Sequence, residues 1–389
     1  MLFRLQKNKV FLLVLCGCLG HSAVLFACIN TRYSRDEEEQ LTSDTVKLIM
    51  GQIAHHGDKF FELQLETTAA EIKAAPDNVE ARNDHAVAHL KLRNFDQAEE
   101  ELLAIEESHP GRYRTHANLG VLYKKMGRYQ DAATHVRRSL EIQSEGHLGL
   151  GDYYLRMISW KGDRLDKGTR TAPPTTNFLG IAYESGPAAT ATNALVNREY
   201  LETLIKADRS YPDVYLVLGD VLSHSGEDEL AFRAYTHAIS LDHPAAPTVE
   251  DRLDEIHATW EKKAKADGAL IVLPRYKLRH QLGDEMMAAM DWVSAFENLE
   301  SELLTKGLVP DFNELKAELI KRGHKDPRFI HVGVVKGSIS KHGAPSATAV
   351  FTIVVVVVGG ILLFGYLAVT LIRRIWKHFK TPETGLTEA

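Results

Sequence analysis

Two imidazoles stand four residues apart in His85-Ala-Val-Ala-His89, the spacing at which one helix face offers two nitrogen ligands to a zinc ion. A zinc hydrolase of that type also needs a carboxylate base beside the first histidine and a third ligand. Ala86 follows His85, and no third ligand stands at a recognisable spacing. The expectation is therefore a packed helix, with neither metal nor cofactor. His55-His56, with Asp58 and Glu62, reads as a solvated helix end. Gly146-His-Leu-Gly-Leu-Gly151 is glycine-rich but lacks the Lys and Ser/Thr that a phosphate loop requires. There is no Gly-x-Ser-x-Gly elbow. The three cysteines, Cys16, Cys18 and Cys28, all lie in or beside one N-terminal apolar segment, which leaves the rest of the chain without a thiol for catalysis or a disulfide. A formal charge of −6 gives no basic face for nucleic acid. No catalytic residues are nominated, and the expectation is a non-enzyme.

The elements that hold these residues repeat. Pro76 and Pro110, Ala86 and Gly120, Phe95 and Tyr129, and Ala98 and Ala132 are each 34 residues apart. A fixed period in the 20 to 50 range marks a stacked array in which each unit is one small motif unable to cover its own apolar face. Small residues at Gly120, Ala132, Gly219 and Ala231 let two helices approach closely, while Leu119, Tyr123 and Tyr235 fill the space beside them.

Asn118-Leu-Gly-Val-Leu-Tyr-Lys-Lys-Met-Gly-Arg-Tyr-Gln-Asp-Ala132 resembles the tetratricopeptide repeat family, with Leu119, Gly120, Tyr123, Gly127, Tyr129 and Ala132 at signature positions. The unit before it keeps Ala86 and Ala98 but carries His85 and His89 where Leu and Tyr are usual. Val217 to Gly226, followed by Ala231, Tyr235 and Ala238, forms another unit; Phe178 to Gly186, with Gly180, looks like the first helix of a further one. Leu150-Gly151 with Tyr154 is a degenerate first helix. The resemblance implies an all-α helix-turn-helix solenoid with a concave groove that binds a protein or peptide. By position, the groove-facing residues would be Asn83, Val87, Leu90, Lys91, Arg114, Ala117, Val121, Lys124 and Lys125. Several are basic, which points to an acidic partner segment.

At the ends, Arg4, Lys7 and Lys9 precede the apolar run Val10 to Leu19, the pattern of a secretory signal. Whether it is cleaved, lipidated at Cys28 or kept as an anchor stays open. From Ala349 to Ile372 no residue is charged, and a helix of that length spans about 36 Å, enough to cross a hydrocarbon core of about 30 Å. Arg373, Arg374, Lys377 and Lys380 follow, placing the C-terminus in the cytoplasm and the repeats outside. Residues 1–28 are thus expected as signal or anchor, 29–57 as a solvated lead, 58–244 as the array with a loop at 161–176, 245–330 as capping helices, 331–348 as a flexible stalk, 349–372 as the membrane helix and 373–389 as the tail.

A scaffold or adaptor at the outer face of a bacterial cytoplasmic membrane fits these features, bound to the bilayer by its C-terminal helix and to a protein partner by its groove. Two alternatives are a signalling receptor, weakened by a tail with no domain of its own, and a histidine-dependent, metal-binding envelope hydrolase. The oligomeric state is not legible.

Overall fold

The computed structural model describes residues 44–146, 149–165, 173–268, 270–329 and 331–336. The signal or anchor segment, the membrane helix and the tail lie outside the described residues, as does the stalk beyond Lys336. Among the described residues no helix is long and apolar enough to cross a membrane.

Described residues up to Ala266, together with Val272–Val335, form one compact unit. Of a second unit, Asp267–Ile271 and everything from Lys336, only a helix end and a few strand residues are described. In chain order the helices are α1 (Thr45–Met50), α2 (Asp58–Ala74), α3 (Val79–Lys91), α4 (Phe95–Ser108), α5 (Tyr113–Lys125), α6 (Tyr129–Ile142), α7 (Gly151–Leu165), α8 (Gly186–Ala191), α9 (Arg198–Ala207), α10 (Pro212–His224), α11 (Asp228–Ser240), α12 (Ala246–Asp267), α13 (Arg275–Thr305) and α14 (Phe312–Lys321). Two three-residue strands of one small sheet, β1 (Leu270–Val272) and β2 (Val334–Lys336), are the only departure from an all-α fold among the described residues.

Three hairpins are built alike: α3–α4, α5–α6 and α10–α11. Each first helix ends in a left-handed residue whose successor's N–H reaches back to a carbonyl inside the helix. Arg128 N donates to Tyr123 O after Gly127 (φ 76°), and Glu227 N donates to Leu222 O after Gly226 (φ 77°). In α3–α4 the same bond runs from Asn94 N to His89 O, with Arg93 at φ 64° where the other hairpins have glycine. These stops set a common register, in which residues 16 apart in sequence face each other across the hairpin. A methyl group on Gly120 would lie 2.6 Å from Val136 Cγ2, and one on Gly219 would lie 2.4 Å from the Tyr235 ring. Ala86, Ala98, Ala132 and Ala231 are fully buried at the helix crossings, and Leu119, Tyr123 and Tyr129 fill the core beside them.

Four expectations need correction. Phe178 to Gly186 is not a repeat helix: Asn177 Oδ1 accepts from Leu179 N and Ile181 N, Gly180 takes φ 82°, and Thr176 bridges Ala182, so the segment is a turn followed by a 3-10 turn at Tyr183–Ser185. The asparagine side chain offers the backbone an alternative to helical bonding. The loop expected from Lys161 begins later, since α7 runs to Leu165.

The lead segment is not solvated where it is described. Leu48, Ile49, Met50, Ile53 and Ala54 are buried, and α1 packs against α9, α11 and α13. Its apolar side chains gain more from that burial than a hydrated lead would. The stalk is likewise anchored at its start, with Val332 buried and its N–H donated to Glu229.

The C-terminal helices pack against each other along part of α13. Val293, Phe296 and Leu299 are buried against Phe312, Leu315 and Leu319 of α14, whereas Met287 and Met290 are exposed.

Candidate functional site

The nine residues expected to line an open groove are mostly covered. Asn83, Val87, Leu90, Arg114, Ala117 and Val121 are all buried. Asn83 Nδ2 donates to the Val79 carbonyl and its Oδ1 accepts from Asn118 Nδ2, which ties α3 to α5. Arg114 pairs with Asp84 at 2.6 Å and also with Glu80, joining the same two helices. These polar side chains hold repeat to repeat because a buried polar group without a partner is costly.

Lys124 is committed as well. Its ammonium lies 2.6 Å from Asp208 and 4.9 Å from the Tyr154 ring centroid. Burial works against its charge, but Tyr154 and Asp208 outweigh burial and hold its pKa above the ordinary value. Asp208 responds in the opposite sense: burial favours its neutral form, and Lys124 and Lys125 override this to keep it far below the usual carboxylate range.

That leaves Lys91 and Lys125, with a third cation that the sequence did not nominate, Lys161 of α7. Lys91 Nζ sits 5.2 Å from the Phe61 ring centroid, and Lys161 Nζ sits 5.8 Å from Tyr129 and 5.7 Å from Tyr211. Partial desolvation, aided by the neighbouring Lys124, Lys91 and Lys161, pushes the Lys125 pKa down against the pull of Asp208. Burial is the main cause, and the smaller contributions of Lys124, Lys91 and Lys161 show that these ammonium groups lie close enough to repel one another. Lys161 could have been found from its place on the helix that follows α6, had Leu150-Gly151 with Tyr154 been extended by periodicity.

The histidine pairs have different partners from those the sequence offered. His55 and His56 turn to Glu297 and Glu300 of α13 rather than to Asp58 and Glu62. His56 lies 3.6 Å from Phe60 in a stacked arrangement, in the core. His85 Nδ1 lies 2.8 Å and 2.9 Å from the two Glu101 oxygens on α4. His89 Nε2 is 3.8 Å from Glu101, and burial, opposed by Glu101 and aided by His85, lowers its pKa. Glu101 escaped the sequence reading, although it stands 16 residues after His85, the same separation as Gly120 from Val136 and Gly219 from Tyr235.

Stacked helical hairpins with a 34-residue period define a class of repeat protein in which neighbouring units build a continuous core and an extended surface. Residues 83–147 match the family described as tetratricopeptide repeat, so this part of the chain is built of tetratricopeptide repeats. The match takes in most of α3 together with α4, α5 and α6. No curated protein matches the chain.

Proposed function

We propose that the chain is a non-enzymatic interaction scaffold that displays its repeats on the extracytoplasmic side of a bacterial cytoplasmic membrane and engages an acidic segment of a protein partner. The observation that carries the partner chemistry is the ammonium cluster of Lys91, Lys125 and Lys161 at the ends of α3 and α5 and on α7. Lys124 and Asp208 neutralise each other beside it, so the cluster keeps a net positive charge. Lys91 and Lys161 lie against aromatic rings, which fixes their positions and lowers the entropy lost when a carboxylate binds. The tether and its direction rest on the uncharged run from Ala349 to Ile372 and the basic residues after it.

Crosslinking the full-length chain in its native membrane, followed by mass spectrometry, should recover a partner peptide rich in Asp and Glu attached near these lysines. The Lys91→Glu/Lys125→Glu/Lys161→Glu variant should bind that partner at least about tenfold more weakly, since each charge pair contributes roughly 0.5–1 kcal/mol. Undiminished binding by the triple variant would sink the acidic-partner reading, and a membrane-embedded chain that captures nothing would sink the scaffold.

A further inference from the structure

The α3–α4 hairpin brings together two imidazoles and a carboxylate that the repeat pattern does not require. His85 and His89 stand one turn apart on α3, and Glu101 faces them from α4. One ligand atom from each lies within 4.8 Å of the other two. The ordinary occupants of these positions are apolar: in the next repeat, 34 residues on, Leu119 and Tyr123 replace the two histidines. The two histidines therefore replace packing that the fold otherwise uses, while Glu101 stands where the next repeat carries His135, and the trio sits at the surface edge, half-buried, where an ion can enter.

We propose that His85, His89 and Glu101 form a binding site for a zinc-class divalent ion, with one position left open to solvent. Three protein ligands plus a water or other oxygen donor complete the tetrahedron that such an ion prefers. At metal–ligand distances of about 2.0–2.2 Å the ligand atoms must be spaced by about 3.3 Å. His85 Nδ1 and Glu101 are 2.8 Å apart, so they need only open slightly, and His89 Nε2 at 3.8 Å from Glu101 need only close slightly. The two imidazole nitrogens lie within 4.8 Å of each other, so closing that pair is the largest change asked of the side chains, and their rotation supplies it with the helices in place.

Two further observations bear on which ion and how the site is held. Asn94, at the start of α4, places its side-chain amide 3.4 Å from His89 Nδ1. The atom at that distance is Nδ2, a donor; a flip of the Asn94 amide on metal binding brings its oxygen to accept the Nδ1–H and leaves the Nε2 lone pair facing the site, the outer-sphere arrangement that orients metal-bound histidines. Beside the site lies a cavity of about 340 Å³ whose lining includes Ala69, Lys73 and Arg82. Those cations oppose a hard ion held by charge alone, and calcium and magnesium would also need more oxygen ligands than the single carboxylate here supplies. An imidazole-rich donor set instead selects a borderline ion such as zinc. The same two cations favour an anionic oxygen ligand at the open position. Bound there, the ion would clamp α3 to α4.

The test uses the purified full-length chain, stripped with chelator and re-equilibrated with Zn²⁺. Bound metal is counted by elemental mass spectrometry, and affinity is read by competition with a chromogenic chelator. The wild type should hold one zinc per chain, with a melting temperature that rises on zinc addition. His89→Gln and Glu101→Gln should each weaken zinc binding at least tenfold and lose the thermal shift, while His280→Gln, at the exposed His280–Asp284 pair, should leave both unchanged. Co²⁺ in the wild type should give the visible absorption of four-coordinate cobalt, and Glu101→Gln should lose it. Glu101→Gln retains a hydrogen-bond acceptor for His85, which keeps the test informative if His89→Gln folds poorly. Equal zinc affinity in wild type, His89→Gln and Glu101→Gln, or an equal loss in His280→Gln, would overturn the proposal.

Discussion

Hairpins α5–α6 and α10–α11 share a stop signal, a register and a glycine at the crossing, yet they are sealed in different ways. The first stands between α3–α4, a copy of itself, and α7, and its core is made by Leu119, Leu122, Ala132 and Val136. The second is surrounded by elements that are not copies: α1, α8, α9 and α13. Buried charge fills the joints there. Asp213 accepts from Tyr183 Oη at 2.6 Å and pairs with His243 at 3.0 Å. Asp220 accepts from Tyr235 Oη at 2.8 Å and pairs with Arg252. Arg233 reaches Glu285 of α13 at 3.2 Å. A hairpin facing its own copy is sealed mainly by the residues that repeat, with the Arg114–Asp84 pair tying α5 to α3, whereas one facing unrelated helices uses several buried pairs, each specific to its neighbour.

The largest effect expected from this contrast is at Arg233. Arg233→Met leaves the buried Glu285 carboxylate without its guanidinium and should lower unfolding stability by about 3–5 kcal/mol in denaturant melts. Arg128→Met, which removes pairs to Glu99 and Asp131 at the exposed edge of α6, should change stability far less. Adding Glu285→Met to the first variant should recover most of the loss, because two apolar side chains can replace a buried pair. Equal losses in the two single variants would erase the distinction between the regions.

The same contrast explains what could be read in advance. The period of 34 and the signature around Asn118–Ala132 were visible because those positions face other copies, and the family match covers that region. Val217 to Ala238 was visible because its crossing uses the same small residues. Phe178–Gly186 misled because Leu-Gly-x-x-Tyr imitates a first helix, while Asn177 directs the backbone into a turn that no periodicity records. Most of the residues expected to line the groove are covered for a related reason. Position in a repeat says which way a residue faces but not what lies opposite, and Asp208, which engages Lys124, is 84 residues away. The candidate metal site was half legible: the histidine pair is local, and Glu101 required the hairpin register.

A second test concerns protons. His237 on α11 stacks on Tyr215 of α10, with centroids 4.3 Å apart, and burial with help from Arg209 depresses its pKa to about 4. The unfolded chain binds that proton with a pKa near 6.5, so between the two values the unfolded state takes up more protons. Stability from keeping His237 neutral is complete above about pH 6.5 and is lost as the pH falls toward the folded value. From pH 6.5 to pH 5 the expected loss is on the order of 1–2 kcal/mol. His237→Phe keeps the stack and should flatten that part of the stability profile. An unchanged slope would move the acid sensitivity to the first hairpin, where burial also lowers the pKa values of His116 and His135.

The smallest effect, and the most direct comparison, is one methyl group at each glycine. An alanine at 120 meets the end of one valine side chain, with the Val136 backbone 3.4 Å away. An alanine at 219 meets three atoms of the Tyr235 ring, at 2.4, 2.6 and 3.0 Å, and that ring is held by its hydroxyl bond to Asp220. Overpacking typically costs about 1–3 kcal/mol, and replacing glycine by alanine inside a helix returns up to about 1 kcal/mol. Gly120→Ala should therefore fall near the low end and Gly219→Ala about 1 kcal/mol above it in parallel thermal melts. Tyr235→Leu in the Gly219→Ala background removes the ring that the new methyl would strike. If the polar tether makes the second crossing the stiffer one, that pair should lose less than the sum of its two single variants. Additive losses would mean that the crossing yields by backbone shift, and that the two hairpins are equally compliant despite their different surroundings.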